Sequence, residues 1–171
     1  RRARKVVEEV RQELGAPEIE VGIMVEVPSA ALMADMLAPE VDFFSIGSND
    51  LTQYTLAVDR SHAVLASMTD GLHPAVLRLI KYTVDAAHRH GKWAGICGEL
   101  GGDPQAVPIL VGLGLDELSM GVPSVPLVKM QISQLSLAEA QDLARRALEC
   151  ATAAEVRALA AEFAARLEGQ N

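Results

Sequence analysis

Four short runs suited to buried strands recur along the chain: "VGIMVE" at 21–26, "FFSIGS" at 43–48, "KWAGIC" at 92–97 and "ELSM" at 117–120. Helical periodicity fills most of the intervals between them. Residues 1–14 read as an amphipathic helix, and 29–37 as a second one stopped by Pro39. After a long polar loop, Pro74 opens a helix that runs to His90 and ends at Gly91. Asp103 can cap a helix through Leu113, and Pro123 opens another. Two further helices start with capping-box patterns, Ser136 with Glu139 and Thr152 with Glu155. Apolar strands alternating with helices imply a parallel sheet, because parallel neighbours need crossover connections and bury both faces. The class is therefore α/β. A doubly wound sheet and a TIM barrel share this alternation, and a barrel needs eight units over about 250 residues. Four strands would make half a barrel.

The 171 residues, 50% apolar and 22% charged, suffice for one ordinary core. No linker, low-complexity stretch or boundary interrupts them, so residues 1–171 read as a single domain. A net charge of -8 argues against nucleic acid as a partner, and the basic Arg1, Arg2, Arg4 and Lys5 are balanced by Glu8, Glu9 and Glu13. No apolar run approaches the roughly 20 residues of a membrane span, and the charged N-terminal segment lacks a signal-peptide core. The expectation is a cytoplasmic protein without membrane insertion. Cys97 and Cys150 have no CxxC spacing and suit a reducing compartment.

Ligands of parallel α/β folds lie at the carboxyl ends of the strands. There the sequence places Glu26, then Asn49 and Asp50, then Cys97 followed by Gly98-Glu99, then Ser119, Met120 and Gly121. Singly, each has a bland use: a capping or salt-bridge carboxylate, an N-cap, a small buried thiol. Their convergence on successive strand ends favours a site. Two carboxylates with water and substrate oxygens make the all-oxygen environment of Mg²⁺ or Mn²⁺. Asp50 then serves as a metal ligand, Asn49 as a donor to a phosphate oxygen, and Arg60 as a planar cation for phosphate or carboxylate. A thiol suits a hard metal poorly, so Cys97 is assigned to proton transfer at carbon.

The segments "GIMVEVPSA", "VDFFSIGSNDLTQYTLAVDR", "HPAVLRLI" and "GKWAGICGELGGD" closely resemble the C-terminal half of enzyme I of the bacterial sugar phosphotransferase system, the phosphoenolpyruvate-protein phosphotransferases. The resemblance implies the C-terminal half of a phosphoenolpyruvate-binding (β/α)₈ barrel, about four βα units plus two C-terminal helices. It implies that Glu26 and Asp50 hold Mg²⁺, that Asn49 and Arg60 bind the substrate phosphate, and that Cys97 protonates the enolate carbon to give pyruvate. The phosphoryl group would pass to a histidine on a separate N-terminal domain and then to a histidine-containing phosphocarrier protein. A homodimer is expected from the same likeness. None of His62, His73, His88 and His90 resembles the phosphoacceptor. "SIGSNDLTQ" alone also suits phosphoenolpyruvate synthases and pyruvate phosphate dikinases, and a non-catalytic dimerisation module is a further alternative.

Overall fold

Strands β1 (Ile23–Val25), β2 (Phe43–Gly47), β3 (Trp93–Cys97) and β4 (Glu117–Leu118) pair side by side in chain order, every neighbour parallel. A computed structural model describes residues 1–59, 61–62 and 64–169. The register sets Val25 beside Ile46, Gly47 beside Cys97, and Gly95 beside Glu117. Nine helices occur among the described residues: α1 (Arg2–Leu14), α2 (Pro28–Leu32), α3 (Ala34–Leu37), α4 (Ser48–Leu56), α5 (Pro74–Arg89), α6 (Val107–Leu113), α7 (Val125–Ser133), α8 (Leu137–Glu149) and α9 (Ala153–Glu168). None is long and apolar enough to cross a membrane.

Alternation along the strands sorts the sheet into two unlike faces. Val25, Phe44, Ile46, Ala94 and Ile96 are no more than 1% exposed and join Leu77, Ile80, Val84, Ile109 and Leu110 in the core beneath the helices. The opposite face carries Met24, Phe43, Ser45, Trp93 and Cys97, which are half-buried or exposed. On it the Phe43 and Trp93 rings stack with centroids 4.3 Å apart, and the Trp93 indole N–H donates to Glu20 at 3.1 Å. Beyond the sheet, α8 and α9 form an outer pair whose Leu143, Ala147, Val156 and Leu159 enter the same core.

Sequence patterning finds the long helices through their caps. His73 precedes Pro74 and its Nδ1 accepts the Ala75 amide at 3.2 Å, so this histidine caps α5. Thr152 caps α9 by accepting the Glu155 amide, while Glu155 Oε2 accepts the Ala151 amide at 2.8 Å. Ser136, by contrast, precedes α8 without a side-chain cap bond. The segment expected as one helix over 29–37 is two short helices meeting at Met33. Asp103 caps the turn that leads into α6: its Oδ1 accepts the Gln105 amide at 2.9 Å and its carbonyl accepts the amides of Ala106 and of Val107, the first residue of α6. The largest difference is α4, which occupies the start of the stretch read as a polar loop.

Candidate functional site

Each strand of the central pair ends where a small residue lets neighbouring chains come close. Gly47 closes β2 and also stands at the N-cap of α4, with φ −80° and ψ 88°. Helix α4 therefore starts without an intervening loop, and Asn49 and Asp50 occupy its first turn. A carboxylate in a first helical turn is stabilised by the unpaired amides and dipole there. The Asp50 Oδ1 also accepts from Gln53 Nε2 at 3.2 Å.

Glu26 follows the last residue of β1, directly after the Val25–Ile46 pair. Its side chain lies across Gly47: a Cβ on that glycine would stand 2.7 Å from Glu26 Cγ and 3.1 Å from Oε1. On the other side of Gly47 its strand partner is Cys97. Glu26 and Cys97 are thus brought to the two flanks of one glycine, with Asp50 three residues further on. Ser48, 1% exposed, donates its hydroxyl to the Cys97 carbonyl at 2.7 Å and fastens α4 to the end of β3.

After Cys97 the chain turns sharply at Gly98, with φ 101° and ψ −175°, a backbone state that side chains resist. The turn brings the Glu99 amide to Asn49 Oδ1 at 3.4 Å. An amide whose oxygen is engaged keeps its NH₂ group to offer as donor, the polarity needed for a phosphate oxygen. Ser45, which the sequence reading did not select, directs its hydroxyl at Cys97 Sγ over 3.8 Å. Two-residue alternation from Gly47 was the signal that could have found it. Arg60 lies outside the described residues.

The donor set at Glu26 and Asp50 fits a hard divalent cation, because both supply carboxylate oxygen and Gly47 leaves the cradle in which the Glu26 carboxylate lies. Among the described residues no group of three or more His, Cys, Asp or Glu side chains forms an all-protein metal cage. Two carboxylates leave positions for water and substrate oxygens, as Mg²⁺ sites at phosphates do. The remaining histidines serve local structure: His62 Nδ1 accepts the Val64 and Leu65 amides, His88 Nε2 lies 2.9 Å from Asp116, and His90 lies 3.6 Å from Asp35.

The sequence also matches a known family. The family described as "PEP-utilising enzyme, PEP-binding domain" matches residues 1–137. A multiphosphoryl transfer protein of Rhodobacter capsulatus is 59% identical over 157 residues, covering 92% of this chain and 19% of that protein. The phosphoenolpyruvate-protein phosphotransferase of Haemophilus influenzae is 54% identical over 145 residues, 85% of this chain and 25% of that protein. That of Staphylococcus carnosus is 47% identical over 169 residues, 95% of this chain and 30% of that protein. The chain thus spans between 19% and 30% of the length of these three relatives.

Proposed function

The chain belongs to the PEP-binding domain family of the PEP-utilising enzymes, and from that premise we propose that it holds phosphoenolpyruvate in a phosphotransferase that passes the phosphoryl group to a protein histidine. Pyruvate is the other product, sugar uptake the process, and a histidine-containing phosphocarrier protein the next acceptor. The observation that carries the reading is the meeting of Glu26, Gly47 and Cys97 at adjacent strand ends. It is supported by relatives named phosphoenolpyruvate-protein phosphotransferase. We take the location to be cytoplasmic.

In this reading Glu26 and Asp50 hold Mg²⁺, which when bound supplies positive charge against the oxygens of the substrate. Asn49 donates to a phosphate oxygen, with its amide oriented by Glu99. Arg60 adds a fixed planar cation. The P–O bond of phosphoenolpyruvate breaks as a P–N bond forms to the acceptor histidine, and the electron pair left on oxygen makes the enolate of pyruvate. Cys97 gives its thiol proton to the enolate methylene carbon, and the resulting thiolate accepts a hydrogen bond from Ser45 until solvent returns the proton.

The parallel order and the two unlike sheet faces support assigning the fold to the C-terminal half of a (β/α)₈ barrel, with the half-exposed face as its interior. Exposed apolar side chains at Met36, Val122 and Leu127, each more than half exposed, support association into a homodimer.

The test is Glu26→Gln and Asp50→Asn in the full-length protein. Each is expected to lower Mg²⁺-dependent pyruvate release and histidine phosphorylation by about 10³-fold or more while the circular dichroism and melting temperature stay near those of the parent. Unchanged turnover in both variants would remove the metal assignment and, with it, the reading.

A further inference from the structure

Helix α9 lies beyond the residues matched by the family and packs in the outer layer, yet one of its side chains reaches the carboxyl-end connections of the sheet. Arg157 Nε and Nη2 donate to the two carboxylate oxygens of Asp70 at 2.6 and 2.9 Å. Its Nη1 donates to Asp103 Oδ2 at 3.2 Å and to Gln105 Oε1 at 2.7 Å. Asp70 lies in the connection between α4 and α5, and its Oδ1 also accepts the Leu72 amide at 3.0 Å. Asp103 closes the 3₁₀ turn Glu99–Gly102, whose first amide holds Asn49. One guanidinium therefore ties together the connections that follow β2 and β3.

The arginine is well placed for this. Val156 and Ala160, on one side of α9, are at most 2% exposed, and Thr152 caps the helix, so the Arg157 backbone is fixed by packing independent of its ion pairs. Arg157, Asp70, Asp103 and Asn49 border a cavity of about 360 Å³. Without the guanidinium, two carboxylates would face each other across it and repel. Burial works to raise the Asp70 carboxyl, but the Arg157 bonds and the Leu72 amide outweigh it and leave it below its ordinary value.

We infer that Arg157 is a positioning residue for the substrate site: from α9 it sets the spacing of the two connections and, through the turn at 99–102, the orientation of the Asn49 amide. This rests on the phosphoenolpyruvate-binding reading above. Its consequence is that the helical pair α8–α9 is mechanically coupled to ligand binding while touching no substrate.

The test uses the full-length protein with Arg157→Leu, which keeps a packed stem without charge, and Arg157→Lys, which keeps charge without the planar fork. Arg157→Leu is expected to raise the phosphoenolpyruvate KM about tenfold with kcat within about threefold. Hydrogen-exchange protection of the Glu99 and Leu72 amides should fall by about tenfold, with the α5 and α6 core amides unchanged. Arg157→Lys should recover less than half of the loss. Full recovery by lysine, or a lower melting temperature with KM unchanged, would reduce the network to a stabilising ion pair and overturn the inference. If Arg157→Leu does not fold, Asp70→Asn removes one arm of the clamp and must still raise KM at least about twofold; an unchanged KM there overturns it. Should the parent protein not turn over phosphoenolpyruvate, the functional reading fails first. The exchange data then decide separately whether Arg157 sets the turn at 99–102, and unaltered protection refutes that.

Discussion

A methyl group added at Gly47 would enter the space that the Glu26 side chain fills. In Gly47→Ala the new Cβ would stand 2.7 Å from Glu26 Cγ and 3.1 Å from Oε1. Carbon atoms in contact settle about 3.5–4.0 Å apart, so Cγ must retreat by roughly 1 Å and carry the carboxylate with it. Glu26 is the movable party, because its far end is flexible. The backbone pays little: φ is −80°, which alanine adopts freely, and the entropic gain of about 0.4–1 kcal/mol from replacing glycine offsets a rotamer shift of about 0.5–1.5 kcal/mol. The melting temperature should therefore move by only a few degrees in either direction. Metal binding should suffer far more, since Mg²⁺ demands ligands at about 2.0–2.1 Å in near-ideal octahedral geometry, and even indirect disturbance of ligands costs about 10–100-fold in affinity. The assay is titration of Mn²⁺ into the full-length protein, followed by electron paramagnetic resonance, alongside the Mg²⁺ dependence of pyruvate release and a thermal melt. A variant with parental metal affinity and parental stability would show that the Glu26 carboxylate does not face the cation.

Cys97→Ala should leave metal affinity intact yet slow pyruvate formation by about 10²–10⁴-fold, the usual worth of a positioned proton donor, and an undiminished rate would transfer that role elsewhere. Gly98→Ala should cost about 2–4 kcal/mol in denaturant unfolding, summing the φ 101° backbone state with disturbance of the Ser48 bond to the Cys97 carbonyl, since the added Cβ would strike Ser48 Oγ and approach Asn49. A loss below about 0.5 kcal/mol would mean that the turn relaxes without strain.

The order of strands and helices was largely legible because α5, α8 and α9 carry start signals in the sequence and each strand has its apolar run. Helix α4 was not, for a physical reason. Its apolar positions are few, and Gly47 serves both as the strand's last residue and as the helix N-cap, so no separate capping signal marks the start. Its threonines, which read as loop residues, instead return their hydroxyls to the carbonyls of Ser48 and Leu51 at 2.6 Å. Glu26, Asn49, Asp50 and Cys97 could be named as candidates from their places at strand ends. Two-residue alternation from Gly47 puts Ser45 on the same face as the site, but its nearness to the Cys97 thiol depends on the β2–β3 register. The Arg157 network was hidden more deeply, because its partners lie 87 and 54 residues away and an arginine on an amphipathic helix reads as solvated surface.

What joins these parts is the division of labour between the sheet's two faces. The core face is filled by Phe44, Ile46 and Ile96, whose burial of apolar area stabilises at roughly 25 cal/mol per Å², and it constrains the backbone whatever lies opposite. That rigidity lets the other face place glycine at 47 and 95 without losing the sheet: the space at Gly47 holds the Glu26 side chain, with Cys97 on its other flank, and the space at Gly95 is bordered by Trp93 and Glu117. The stacked Phe43 and Trp93 rings lie on the same face toward the amino ends of β2 and β3, with the Ser45–Gly95 pair between them and the Gly47–Cys97 pair. The Glu26 carboxylate and Cys97 thiol thus flank the start of α4, and of the groups there it is the first amides of that helix that would meet the charge of a phosphate in the proposed site.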